Sequence, residues 1–176
     1  MANFLYNTNI RLFGLAAKVA ANFSDKAKLF VDGRKTVWDK LKGFNKPNVV
    51  WFHAASLGEF EQGKPVMEKL KKDFPHINLV VSFFSPSGYE EKKDWPLATT
   101  CYLPIDTPAN AKRFVELINP QLAVFIRYEF WANYLDELHT RNVPTTVMAA
   151  QFRPNQFLFK PLGSYLRKRV KKLDKW

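Results

Sequence analysis

Short, almost wholly apolar runs recur along the chain: Val49–Phe52, Ile77–Phe84, Thr99–Leu103, Leu122–Ile126 and Val143–Ala150. Runs in which neighbouring positions are both apolar suit strands buried on both faces, as in a parallel sheet. Between them lie longer stretches of helical period. One runs from Glu59 to about Phe74, and another follows the Ser85–Tyr89 loop. A third opens at Asp106-Thr107-Pro108, with proline near its first position, turns Ala111, Phe114, Val115 and Ile118 inward, and stops near Asn119-Pro120. A fourth leaves Arg127–Trp131 and runs to about Arg141, and a basic last helix covers about Phe159 to Leu173. Strand and helix alternate about five times, which predicts an α/β fold: a doubly wound parallel sheet with right-handed crossovers.

The first 46 residues read differently. Residues 3–23 are mostly apolar, with Gly14 as their one breaker. Asn7, Arg11, Lys18 and Asn22 share one narrow helical face, while Leu5, Leu12, Val19 and Phe23 fall largely elsewhere. Two cations within about 20 residues argue against a membrane span, and no small-residue cleavage site is visible. The pattern predicts an amphipathic helix lying at an interface; the competing reading docks it on the protein's own core or on a further domain. Ser24 can cap a second, basic helix interrupted at Gly33, and Asn45–Asn48 reads as a linker. The expected organisation is N-terminal amphipathic and basic helices over 1–46 and an α/β domain over 47–176.

Composition narrows the classes. With 176 residues and 47% apolar content the chain can build one well-cored domain and is not disordered. A lone Cys101 excludes a disulfide framework, and His53, His76 and His139 lack ligand spacing, so neither metal nor cofactor is expected. The net charge of +11 is concentrated at the ends: residues 1–46 hold nine Lys/Arg against three Asp, and residues 160–176 seven against one. A near-neutral middle argues against a basic nucleic-acid groove and points to ends that meet an anionic surface, unless they are simply solvated.

Candidate chemistry collects where the strands end. After the first strand come Ala54, Ala55, Ser56, Gly58 and then Glu59, a loop without a dinucleotide or phosphate-binding glycine signature. Ligands of such sheets bind outside the carboxyl ends of the strands. Glu59 can therefore act on a ligand there, or simply favour a helix start through the helix dipole. Ser85, Ser87 and Gly88 form either a hydroxyl-rich cradle or an ordinary helix cap. Arg127 and Glu129 leave the fourth strand, where they can serve a site or pair with each other, and Arg153 adds a cation after the fifth. Two carboxylates with nearby cations suit acid–base work on a charged substrate.

In chain order, HAASLGEFEQG, FFSPSGYE, YLPIDTP, RYEFWANYL and AAQFRP resemble the N-terminal half of 3-deoxy-D-manno-octulosonic acid (Kdo) transferases. The resemblance implies a Rossmann-like acceptor-binding domain of a two-domain GT-B enzyme. That enzyme would be inverting and metal-independent, and would move Kdo from CMP-Kdo to a lipid A precursor in lipopolysaccharide synthesis at the cytoplasmic face of the bacterial inner membrane. It implies Glu59 as general base and Glu129 in transition-state stabilisation, with Ser56, Gly58, Ser85, Ser87, Gly88, Arg127 and Arg153 as substrate contacts. Arg127 stands where lysine is usual, Ala132 replaces a common proline, and Gln151 replaces an apolar residue. The donor would lie mainly on a C-terminal domain beyond these residues, so the fragment alone is expected to be inactive. Two other readings stay open: a basic module holding RNA or anionic lipid, and a GT-B transferase of other specificity. Nucleic acid is not an expected partner.

Overall fold

A computed structural model describes residues 2–151, 160 and 163–173. Helices α1 (Ala2–Ala20), α2 (Asp25–Lys35) and α3 (Val37–Lys40) precede β1 (Val49–Ala54). Then come α4 (Leu57–Asp73), β2 (Asn78–Phe83), α5 (Pro86–Lys92), β3 (Ala98–Tyr102), α6 (Pro108–Ile118), β4 (Pro120–Ile126), α7 (Ala132–Thr140), β5 (Thr145–Met148) and α8 (Ser164–Val170). The strands form one sheet in the order β3-β2-β1-β4-β5, with every pairing parallel. Strand order reverses beside β1, so the gap between the carboxyl ends of β1 and β4 is the topological switch point.

Every residue of β1 is buried. Its odd positions, Val49 and Trp51, pack with Phe114, Phe125, Tyr134 and Leu138 on one face of the sheet. Its even positions, Val50, Phe52 and Ala54, pack with Phe60, Met67, Val81 and Ile126 on the other. Gly63 lets α4 lie close on β4, since a Cβ there would come 2.5 Å from the Ile126 side chain. A strand that must be apolar on both faces explains the continuous runs in the sequence.

Two local expectations change. The break between the basic helices falls at Thr36, not Gly33. Gly33 stays helical and brings α2 against Tyr102, whose ring lies 2.1 Å from where a Cβ would be. The last described helix begins at Ser164; its expected start at Phe159 lies outside the described residues.

Helix α1 is two-faced. Tyr6, Asn7, Ile10, Gly14 and Ala17 recur at helical spacing and turn toward the domain. Asn7 thus leaves the expected outer polar stripe: its Oδ1 accepts from Asn133 Nδ2 at 2.9 Å. Phe4, Leu5, Leu12, Leu15 and Val19, with Phe23 just past the helix, are 56–85% exposed on the outside.

The docking centre is Asp106, which is buried. Its carboxylate accepts from Tyr6 Oη at 2.6 Å and from the Asn133 and Tyr134 amides at 3.1 Å each. It thereby caps α7, whose own N-cap residue Trp131 makes no side-chain cap bond. Burial pushes the Asp106 carboxyl up to about 6 despite these three donors. An Asp106→Asn change turns an amide N–H toward a backbone N–H. It is expected to destabilise the domain by about 2–3 kcal/mol, read by urea unfolding. A change below about 0.5 kcal/mol would mean that the cap and the α1 dock are supported elsewhere.

Candidate functional site

The loop after β1 begins α4 at Ser56, an extended N-cap residue whose hydroxyl makes no cap bond. Glu59 does that work: its Oε2 accepts from the Ala55 amide at 2.6 Å. This is a variant of the capping box, shifted one residue outward. The helix-start reading of Glu59 is therefore real, but it engages one carboxylate oxygen. Oε1 has no hydrogen-bond partner among the described residues. Burial raises the Glu59 pKa from its ordinary value, opposed by the Ala55 amide and the Arg127 charge.

Glu129 sits across the switch point in the loop between β4 and α7. Arg127 turns this loop with a left-handed φ of 64°, and its amide donates to Met148 O at 2.9 Å. Tyr128 Oη bonds the Gln151 carbonyl and accepts the Gln151 amide at 2.8 Å. The alternative in which Arg127 pairs with Glu129 is not realised: Arg127 Nε donates to Gln62 Oε1 at 3.0 Å. Glu129 is half-buried and has no hydrogen bond or ion pair among the described residues. Burial, then the nearby Glu59 charge, push its pKa up to about 7. The Glu59 charge thus adds to burial in favouring the protonated form of Glu129.

The loop after β2 lies against the first. Phe84 and Ser85 amides donate to Ala54 and Ala55 carbonyls at 3.3 and 2.7 Å. Ser85 caps the short α5 and shares a 3.0 Å contact with the Ser87 hydroxyl, so the capping reading of the serines is realised. Gly88 is buried between the loops; a Cβ there would come 2.4 Å from the Phe83 ring and 3.1 Å from the Ser56 carbonyl carbon. Gly58 has open space where a Cβ would point. Arg153 lies outside the described residues. Glu59, Glu129, Ser56, Ser85 and Arg127 thus meet at one edge, with Gly88 acting as a spacer.

Two residues that the sequence reading passed over belong to this edge. His53, fully buried, accepts at Nε2 from Trp131 Nε1 at 3.1 Å. Trp131 is half-buried and stacks on Phe84 at 4.7 Å. The visible signal was a histidine ending an otherwise apolar strand: a polar group there must find partners once buried. Among the described residues no group of three or more His, Cys, Asp or Glu could hold a metal ion.

This is a Rossmann-like α/β domain with a pair of carboxylates, each short of partners, at the switch point of its sheet. A family model described as 3-Deoxy-D-manno-octulosonic-acid transferase (kdotransferase) matches residues 31–176, and the chain belongs to that family. It is 32% identical to the 3-deoxy-D-manno-octulosonic acid transferase of Haemophilus influenzae over 107 residues, 60% of this chain and 25% of that protein. The namesake from Chlamydophila psittaci is 30% identical over 138 residues, 73% of this chain and 32% of that protein. For Aquifex aeolicus the match is 32% over 93 residues, 52% and 26% respectively. The chain therefore spans about a quarter to a third of the relatives it matches.

The raised Glu129 pKa has a consequence for stability. An unfolded glutamate loses its proton near 4.5, whereas folded Glu129 keeps it to about 7. Between those values the folded state binds the extra proton, so stability is highest below 4.5 and falls as pH rises through 7. Glu129→Gln is expected to remove up to about 3 kcal/mol of the stability difference between pH 4.5 and pH 8, read by urea unfolding at both. An unchanged difference would place the carboxylate in water.

Proposed function

We propose that this chain is the acceptor-binding part of a Kdo transferase of lipopolysaccharide synthesis. It would take Kdo from CMP-Kdo to a lipid A precursor at the cytoplasmic face of the inner membrane. The observation that carries the reading is the Glu59–Glu129 pair at the switch point of a domain of this family. In the proposed reaction an acceptor hydroxyl attacks the anomeric carbon of Kdo. The new C–O bond forms as the bond to the CMP phosphate breaks, and the hydroxyl proton passes to Glu59. Glu59 suits the role of base: one oxygen is held by the Ala55 amide and the other is open. Glu129 stabilises charge opposite it, with Ser56, Ser85 and Arg127 as acceptor contacts. A single displacement inverts the anomeric centre and calls on no metal. A further domain in GT-B arrangement would hold most of the donor.

The N-terminal helix supports a membrane-bound acceptor. The outer face of α1 presents bulky apolar side chains beside Arg11 and Lys18, neither of which has an acidic partner among the described residues. No described helix is long and apolar enough to cross a membrane, so we place α1 in the plane of the interface. Between α1, α2 and the Ser85 loop lies an apolar cleft of about 390 Å³ lined by Phe13, Ala17, Phe30, Phe84 and Pro86. It offers an acyl chain a place next to the catalytic edge.

In the full-length enzyme Glu59→Gln keeps the loop bond geometry but accepts no proton; turnover is expected to fall by about 10²–10⁴ with little change in acceptor KM. Near-normal turnover would remove Glu59 from the chemistry. Replacing exposed Leu12, Leu15 and Val19 together with serine is expected to weaken binding to phosphatidylglycerol-containing vesicles by at least about tenfold, at unchanged thermal stability. Equal vesicle binding would refute the interfacial role of α1.

A further inference from the structure

Glu129 has no hydrogen bond of its own among the described residues, so its place depends on how its loop is anchored. One anchor is at Arg127, bonded to Met148 at the end of β5, and at Tyr128, bonded to Gln151 just beyond it. The other is at Trp131, two residues beyond Glu129. Its indole N–H bonds the imidazole of His53, and its ring stacks on Phe84, which precedes the Ser85–Ser87 turn. The Phe84 amide in turn bonds β1 at Ala54. One tryptophan thus joins the loop of Glu129, the loop of Ser85 and the strand that leads to Glu59.

The chemistry of the bond gives it a direction. Indole N–H is only a donor, so His53 Nε2 must be the unprotonated nitrogen. Nδ1 then carries the proton and donates to Ser82 O at 3.1 Å, close also to Ser82 Oγ at 2.9 Å. Ser82 is the register partner of His53 across β1 and β2, and its Oγ accepts from Trp51 Nε1 at 2.8 Å. The imidazole is thereby held in one tautomer and one orientation. Burial keeps it neutral, with a pKa pushed down to about 3, so Nε2 remains an acceptor at working pH.

We propose that His53 and Trp131 are positioning residues of the reaction: their hydrogen bond fixes the Glu129 loop against the Glu59 loop without either residue taking part in proton transfer. This rests on the functional reading of Glu129 above. A carboxylate displaced by about 1 Å can lose about 10² in rate while substrates still bind.

The test uses the full-length enzyme. Trp131→Phe keeps the stack on Phe84 and removes only the donor. It is expected to lower kcat about 10–100-fold with the KM values for CMP-Kdo and acceptor within about twofold, and with only a small fall in Tm. His53→Leu should do the same, and the double variant should be no slower than the slower single. His53→Gln offers an oxygen to the indole and an N–H to Ser82, and should recover at least tenfold over His53→Leu. If His53→Leu fails to fold, Trp131→Phe and His53→Gln still decide. Normal kcat in Trp131→Phe with only a lowered Tm would make the bond merely structural. A raised acceptor KM at constant kcat would make Trp131 a substrate contact, and multiplying losses would make the two residues independent. Each of these overturns the proposal. Glu129→Gln separates the levels: if it turns over normally, the reading of Glu129 fails; if it is slow while Trp131→Phe is not, only the positioning role fails.

Discussion

The structure depends on one strand being buried on both faces while paired on both sides. β1 meets β2 along its whole length and β4 along most of it, and its side chains pack alternately into the two layers. Water reaches none of it, so any polar group on this strand must be satisfied inside the protein. Trp51 satisfies its indole N–H on Ser82 of β2, and His53 finds its partners on β2 and on the loop after β4. The same centrality sets the switch point, because the chain leaves β1 between loops that diverge to opposite sides. Burial of a strand and placement of a site are thus one constraint.

Three carboxylates near this edge show how environment assigns different work to one chemical group. Asp106 is fully inside and satisfied by three donors, so it acts as a joint between α1 and α7. Glu59 is split, one oxygen held by a backbone amide and the other open. Glu129 is half-buried with no hydrogen-bond donor among the described residues, and holds its proton to about 7. The order from most to fewest partners is the order from scaffold to candidate chemistry. A carboxylate without partners is unfavourable in a folded protein unless something else holds it in place, and here anchors on either side of Glu129, at Arg127–Tyr128 and at Trp131, do so.

Helix α1 resolves a competition that its amphipathic pattern could not. Its narrow face of Tyr6, Asn7, Gly14 and Ala17 is small or polar enough to approach the domain closely, and Tyr6 reaches Asp106. Its bulky apolar residues face outward. Docking by the small face leaves the large one exposed. The helix is therefore both tied to the α/β domain and exposed at the surface, and the aromatic contacts Phe13–Phe84 and Phe84–Trp131 run from that helix to the candidate site.

Alternation of apolar runs with helical stretches determined the α/β class, the strand sequence and the parallel sheet. Both signals are local, and burial on both faces leaves no other pattern. The motifs around Glu59, Ser85 and Glu129 placed the candidate site at the carboxyl ends of the strands, because loops carry their residues with them. What only the tertiary structure decided is partnership. Arg127 bonds Gln62 rather than Glu129, Gly33 continues a helix because a tyrosine ring takes its missing Cβ, and Asp106 caps a helix that starts 26 residues later in the chain, at Ala132. His53 and Trp131 lie 78 positions apart. Such contacts join elements that the winding of the sheet brings together. Periodicity along one segment carries no information about which distant segment will supply the other half of a hydrogen bond.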